Sequence, residues 1–336
     1  MTSKARVVSG MRPTGSLHLG HLVGALGNWV PLQEQYDCFY FVADWHALTS
    51  DYANTSQLTA YAYENVADWI GAGLDPEKST LFVQSLVPEH AELYLLLSMV
   101  VPVPWLERVP TYKDQQENLK DRDLSTIGFL GYPLLQTADV AIYDARFVPV
   151  GEDQVAHLEL AREVVRRFNN VFPAREDVLV EPQPLLTTFG RLPGLDGDKK
   201  MSKSLGNTIH LSDTPDEVKR KVMRMYTDPK RVRADVPGTV EGNPVFVYHD
   251  AFNPNLPEVD DLKARYRSGK VGDVEVKSKL AHALTARLEP IRERREAVLG
   301  QRQRLKEILF EGSARARAVA SDTLARVRDA MKITYR

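Results

Sequence analysis

The 336-residue chain carries a single cysteine, Cys38, which excludes an internal disulfide and any metal site built from clustered thiolates. Set in the run Cys38-Phe39-Tyr40-Phe41-Val42-Ala43, that thiol reads as a small buried hydrophobe. Long apolar runs are also missing. None approaches the roughly 20 residues that span a bilayer, and Met1 to Arg6 opens into a strand-like segment without the apolar core of a signal peptide. The expectation is a cytoplasmic protein with no membrane contact. There is no internal repeat and no low-complexity tract. The net charge of −2 is small, but it hides an asymmetry. Residues 210–336 hold 26 basic and 19 acidic side chains, net +7, against 17 and 26, net −9, in residues 1–209. Asymmetry of this kind points to a polyanionic partner, most often nucleic acid.

What is present is the composition of an ordinary soluble protein, 43% apolar and 26% charged, in a chain long enough for more than one domain. The stretch Ser9 to His21 follows the strand-like Arg6-Val7-Val8, turns through Gly10, Pro13 and Gly15, and runs into a helix-like segment from Leu22 to Val30. Unpaired N–H groups and the helix dipole at such a junction favour a phosphate. His18 and His21 share one face of the first turn, and Gly20 between them removes side-chain bulk.

Further along, Cys38–Ala43, Ser79–Gln84 and Phe147–Val150 read as strands. Helices are expected from Asn54 or Thr55 to about Gly71, from Glu89 to Met99, from Gly131 to Tyr143 with Pro133 in the first turn, and from Gly151 to Phe168. Strands alternating with helices imply a parallel sheet covered on both faces, with a ligand beyond the strands' carboxyl ends, where the opening loop and His46 lie. Asp139 sits in the apolar body of its helix, and a carboxylate buried there needs a partner. Residues from about 104 to 145 read as a helical insertion, its first part richly charged. Phe172 to Asp198, rich in Pro and Gly, reads as loop with at most short strands. Lys199-Lys200-Met201-Ser202-Lys203-Ser204, closed by Leu205-Gly206-Asn207, reads as a mobile cationic loop able to fold over phosphates. Beyond it come helices only: from Asp213 or Thr214, ahead of Pro215, to Met225, from Pro257 to Tyr266, from Val274 to about Phe310 with interruptions near Pro290 and Gly300, and from Ser313 to Met331. The expected architecture is thus α/β: a parallel-sheet domain over 1–208 and an all-helical domain over 209–336.

Two of these stretches together resemble a known family. His18-Leu19-Gly20-His21 is similar to the "HIGH" signature of class I aminoacyl-tRNA synthetases, and Lys200-Met201-Ser202-Lys203-Ser204 matches their "KMSKS" loop letter for letter. Ser9 to Gly15, Tyr132 to Asp139, and Val148-Pro149-Val150-Gly151-Glu152-Asp153-Gln154 with His157, Glu159 and Arg162 narrow the resemblance to the tryptophanyl-tRNA synthetases, over essentially the whole chain. The resemblance implies a Rossmann-type catalytic domain, an anticodon-binding helical domain and a homodimer. It implies ATP with Mg2+ as cosubstrate, and L-tryptophan and tRNA(Trp) as the species joined. By the same resemblance, His18, His21, Lys200, Lys203 and, more loosely, Lys113 serve the chemistry. Arg12, Pro13, Thr14, Gly20, Gly151, Glu152, Asp153, Leu192, Met201, Ser202 and Ser204 complete the ATP site. Asp139 accepts the indole N–H, among Tyr132, His46, Gln136, Val148, Val150 and Gln154.

The chain departs from the family in places. Many relatives carry Gln at the position of Arg12, Thr and Asn at those of His18 and His21, and often Met at that of Gln136. Tyrosyl-tRNA synthetases share the fold and both signatures, and a catalytically silent relative that binds RNA or a protein partner is the other alternative.

Overall fold

The computed structural model describes residues 4–109, 124–151, 155–186, 192–197, 201, 205–229, 231, 233 and 235–335. The chain forms two compact units, the first from Met1–Gly15, Asn28–Thr188 and Val298–Arg336, the second from Ser16–Gly27 and Phe189–Ala297.

The first unit is built on five parallel strands, β1 (Arg6–Met11), β2 (Asp37–Val42), β3 (Ser79–Val83), β4 (Phe147–Val150) and β5 (Gln183–Leu186), ordered β3-β2-β1-β4-β5. The chain steps outward from β1 to β3 on one side and then crosses to β4 and β5 on the other. This reversal beside β1 is the place at which doubly wound sheets bind ligands beyond their carboxyl ends. Strands β2 and β3 are buried on both faces along nearly their whole length, as a parallel sheet covered on both sides requires. Val7, Val8, Cys38, Tyr40, Val42 and Leu81 are fully buried. Burial also pushes the Cys38 thiol up to about 11, so it stays a neutral hydrophobe.

Around the sheet lie α2 (Gly27–Gln35), α3 (Asp44–Asp51), α4 (Leu58–Ala72), α5 (Glu89–Ser98), α6 (Val103–Glu107), α7 (Ile127–Ala141), α8 (Val155–Val171) and α13 (Arg302–Ala330). Helix α7 begins four residues before the expected Gly131, because Thr126 caps it by accepting the Phe129 N–H at 3.1 Å. Pro133 therefore stands inside the helix instead of in its first turn.

Sequence reading places the domain boundary near 209, whereas the last helix, α13, lies in the compact unit of the sheet. Its stripe Ala316, Ala320, Leu324 and Val327, at helical spacing, joins the same apolar core as the strands. At Gly312 the helix backbone meets edge strand β3 so closely that a Cβ would run into the Leu81 carbonyl, and the Val83 N–H donates to Ser313 Oγ at 3.3 Å. The exposed edge of the sheet is thereby covered. Arg317 to Glu89 at 2.8 Å and Arg326 to Asp144 at 2.6 Å fasten the same helix.

The second unit contains α1 (Leu19–His21), α9 (Pro215–Met223), α10 (Pro244–Phe252), α11 (Leu256–Arg267) and most of α12 (Asp273–Gly300). Helix α1 continues into a π-helical turn, Leu22–Leu26, so the expected helix at Leu22 starts three residues earlier. Helix α9 begins at the anticipated Thr214-Pro215, with a reciprocal capping box to Glu217. The buried Arg231 guanidinium stacks 4.0 Å from the Tyr266 ring and pairs with Asp273 at 3.1 Å. Lys277, also buried, donates to the Met225 carbonyl and the Thr227 hydroxyl, each at 2.7 Å, and burial holds its pKa below the usual lysine value.

Candidate active site

In the first unit the predicted Asp139 is the centre of a buried polar network. It is 1% exposed. Gln84 Nε2 donates to both of its oxygens at 2.8 and 2.9 Å, His90 Nδ1 meets Oδ1 at 2.7 Å, and His46 Nε2 meets Oδ2 at 2.9 Å. Burial alone would raise the pKa of this carboxyl, but the hydrogen bonds from His46 and His90 outweigh it and hold it at about 2. An ionised carboxylate only accepts, so His90 carries a proton on Nδ1. Its Nε2 lies 2.6 Å from the Tyr143 hydroxyl, whose pKa burial pushes well up, so that the phenol stays protonated.

The strand ends place these groups. Asp44 follows β2 and opens α3; its Oδ1 accepts the Trp45 N–H at 3.0 Å and the Ser85 N–H at 3.1 Å, and the Ser85 hydroxyl donates to Oδ2. Gln84 follows β3, and its carbonyl oxygen accepts the same Trp45 N–H at 3.2 Å. The first turn of α3, carrying His46, is thus tied to the segment carrying Gln84. Tyr132, Gln136 and Asp139, at i, i+4 and i+7, share one face of α7, with Tyr132 buried and Gln136 half-buried. Val148 and Val150 are buried in the apolar core, and Gly151 is half-buried just past the end of β4. Past β1, Arg12 and Thr14 are exposed and Pro13 is buried, in a turn closed by the Thr14 N–H to the Arg12 carbonyl at 2.9 Å.

In the second unit the two signature stretches meet. His18 caps α1: its Nδ1 accepts the Gly20 N–H at 3.1 Å, while the His18 N–H donates to His21 Nδ1 at 3.2 Å. Both rings use Nδ1 as acceptor, so the proton of each neutral ring sits on Nε2, the atom able to donate to an anion. The rings stand 3.9 Å apart between centroids. The segment pairs with the strand-like stretch that follows the lysine loop: Leu19 N–H to Ile209 O at 3.0 Å, Leu211 N–H to Leu17 O at 2.9 Å, and a bridge between His18 and His210. A Cβ at Gly20 would stand 2.9 Å from His18 Cε1 and 3.2 Å from the Met201 sulfur, so only glycine admits both neighbours unshifted. Leu192 is buried in the same unit, beside Pro193, whose carbonyl accepts the Tyr248 hydroxyl at 2.9 Å.

Lys113, Glu152, Asp153, Gln154, Lys200, Ser202, Lys203 and Ser204 lie outside the described residues. Sequence reasoning missed Gln84, His90 and Tyr143. A signal for His90 was present: it shares a helical stripe with the buried Leu93 and Leu97, where a polar ring needs a partner.

Comparison with known proteins agrees over nearly the full length. Residues 1–289 match the family described as tRNA synthetases class I (W and Y). A tryptophan–tRNA ligase of Treponema pallidum is 48% identical over 333 residues, covering 98% of each chain. Another, from Thermotoga maritima, is 48% identical over 331 residues, covering 98% of this chain and 100% of its own. Among solved structures, tryptophanyl-tRNA synthetase from Campylobacter jejuni complexed with ADP and tryptophan aligns with a TM-score of 0.86 at 31% identity, covering 97% of this chain and 99% of that one. Tyrosyl-tRNA synthetase from Archaeoglobus fulgidus aligns with a TM-score of 0.66 at 25% identity, covering 87% and 90%.

Proposed function

The chain belongs to the class I tRNA synthetases of the tryptophan and tyrosine group, and from that premise we infer the tryptophan reaction. L-Tryptophan is activated with ATP to tryptophanyl-adenylate and pyrophosphate, and the tryptophanyl group then passes to tRNA(Trp). The observation that carries the activation step is the meeting of His18–His21 with Met201 and with the 209–211 stretch in the second unit.

Attack of the tryptophan carboxylate on the α-phosphorus needs no protein nucleophile. The work lies in holding the two substrates in line and stabilising the negative charge that spreads onto the departing pyrophosphate. We assign His18 and His21, donating through Nε2, to the phosphates and ribose of ATP, which enters with Mg2+. Lys200 and Lys203, with Ser202 and Ser204, close over the pyrophosphate. Arg12, Pro13 and Thr14 border the nucleotide and Lys113 reaches its phosphates. Gly151, Glu152 and Asp153 hold the ribose, and Leu192 and Met201 lie by the adenine and phosphates. Asp139 accepts the indole N–H among His46, Tyr132, Gln136, Val148, Val150 and Gln154. A buried acceptor of this kind discriminates by roughly 10⁴-fold or more against a ring that offers no N–H.

The helices beyond residue 209 are assigned to the anticodon end of tRNA(Trp). With tRNA as substrate, the cytoplasm is the site of reaction, and among the described residues no helix is long and apolar enough to cross a membrane. A homodimer has a candidate face on the first unit. A cavity of about 440 Å³ is lined by Trp45, Leu48, Tyr52, Tyr94, Gly131 and Leu135. The helices around it expose Leu95 (52%), Met99 (66%) and Ile127 (83%), an apolar surface that a second copy would cover. Light scattering should give twice the chain mass and, for Leu95→Glu with Ile127→Glu, the single-chain mass; a wild-type monomer would overturn this part.

The decisive assay for the reaction is charging. Purified protein with ATP, Mg2+, labelled tryptophan and tRNA should yield acid-precipitable tryptophanyl-tRNA. Binding of RNA with no adenylate formed would replace the reading with that of a silent regulator.

A further inference from the structure

The acceptor capacity of Asp139 is fully used by the protein itself. A carboxylate offers about four lone-pair sites. Gln84 engages both oxygens, His90 engages Oδ1 and His46 engages Oδ2, so each oxygen already has two donors. An indole N–H reaches this carboxylate only if one of them leaves. The three donors are not equivalent. The side chains of His90 and Gln84 are fully buried, and each is anchored at its far end, His90 by the Tyr143 hydroxyl at 2.6 Å and Gln84 by the Trp45 N–H at 3.2 Å. The His46 side chain is 12% exposed, against 2% for that of Asp139, so solvent, and hence a ligand, approaches the carboxylate from the His46 side.

Resting on the assignment of Asp139 as the indole acceptor, we propose that the Nε2–H of His46 holds the place of the indole N–H and swings off Asp139 when tryptophan enters, while His90 and Gln84 stay. The exchange replaces one N–H donor by another, so the buried anion keeps its full set of partners in both states. A ring of the same shape without an N–H cannot make that exchange. It either leaves His46 in place and is blocked by it, or displaces His46 and leaves an ionised oxygen short of a donor, which a buried site resists strongly. His46 is in this account the element that converts the presence of one N–H into selection.

Proton–nitrogen NMR of the histidine side chains of the full-length protein, labelled with ¹⁵N-histidine, tests this. His46→Gln and His90→Gln variants assign the two signals by their disappearance. On saturation with L-tryptophan, confirmed by calorimetry, the His46 Nε2–H signal should lose its carboxylate-bonded downfield position and the His90 Nδ1–H signal should keep it. β-(Benzothienyl)alanine, the sulfur isostere of tryptophan, added at the same concentration, should move neither. A His46 signal that stays put under bound tryptophan, or moves equally with the isostere, overturns the exchange. Tryptophan bound as tightly by Asp139→Asn as by the wild type, with the His46 signal unmoved in both, overturns the underlying assignment as well, and so separates the two failures.

Discussion

Replacing Asp139 by asparagine tests the recognition chemistry with little change of shape. The amide keeps one acceptor oxygen and puts an NH2 where the other stood, so whichever way it turns, either His46 or His90 faces a donor while Gln84 Nε2 keeps the remaining oxygen. One buried donor left short costs about 1–3 kcal/mol of stability. Toward tryptophan the variant loses a charge-assisted hydrogen bond worth about 1.5–3 kcal/mol, a fall in kcat/KM of roughly 10- to 150-fold. The sulfur isostere never makes that bond, so its kcat/KM should change far less and the preference for tryptophan should fall by nearly the same factor. Steady-state exchange of labelled pyrophosphate into ATP, run with each amino acid, reads both numbers. The pH dependence has a definite sign. The Asp139 pKa falls from 3.8 to about 2 on folding, so its stabilising contribution, roughly 2 kcal/mol, is full above about pH 4 and is lost as pH falls toward 2. Wild type and variant should therefore converge in stability over that window. Equal losses of kcat/KM for tryptophan and its isostere would refute the reasoning.

Three further substitutions probe other parts. Gly20→Ala forces a methyl group against His18 and Met201; adenylate formation should fall more than tenfold in pre-steady-state assays while tryptophan still binds, and an unchanged rate would contradict the assigned role of this turn. Gly312→Ala drives a methyl group into the Leu81 carbonyl, a backbone atom that cannot rotate away. It should cost about 1–3 kcal/mol and lower Tm by several degrees, and an unaltered melt would show that α13 does not depend on that contact. Lys203→Ala should slow adenylate formation much more than it weakens tryptophan binding, because its partner charge develops in the transition state; equal losses in both would count against the loop's role.

Much of the frame was readable in the chain. Runs such as Cys38–Val42 and Leu81–Val83 carry apolar residues on both faces, as a covered parallel sheet requires, and the Thr214-Pro215-Glu217 cap marks its helix outright. What escaped depends on contacts distant in sequence. Helix α10 starts at Asn243-Pro244, a good cap signal, but sits in a proline-rich stretch whose local preference reads as loop. The last helix carries enough Arg and Glu to pass for a solvated face, and only the meeting of Gly312 with Leu81 shows that it closes the sheet. In the site, the two histidines and Gly20 were legible because their chemistry is local to one turn. Gln84, His90 and Tyr143 were not, because each acquires its meaning only when the end of β3, α5 and α7 converge on one carboxylate 49 to 55 residues from the first two.

The central claim is that this chain activates tryptophan at a site that selects it through a buried carboxylate. Amino-acid-dependent exchange of pyrophosphate into ATP, with tryptophan and tyrosine compared side by side on the same wild-type preparation, meets it most directly. The account predicts strong stimulation by tryptophan and none above background by tyrosine. Stimulation by tyrosine and not by tryptophan would contradict it.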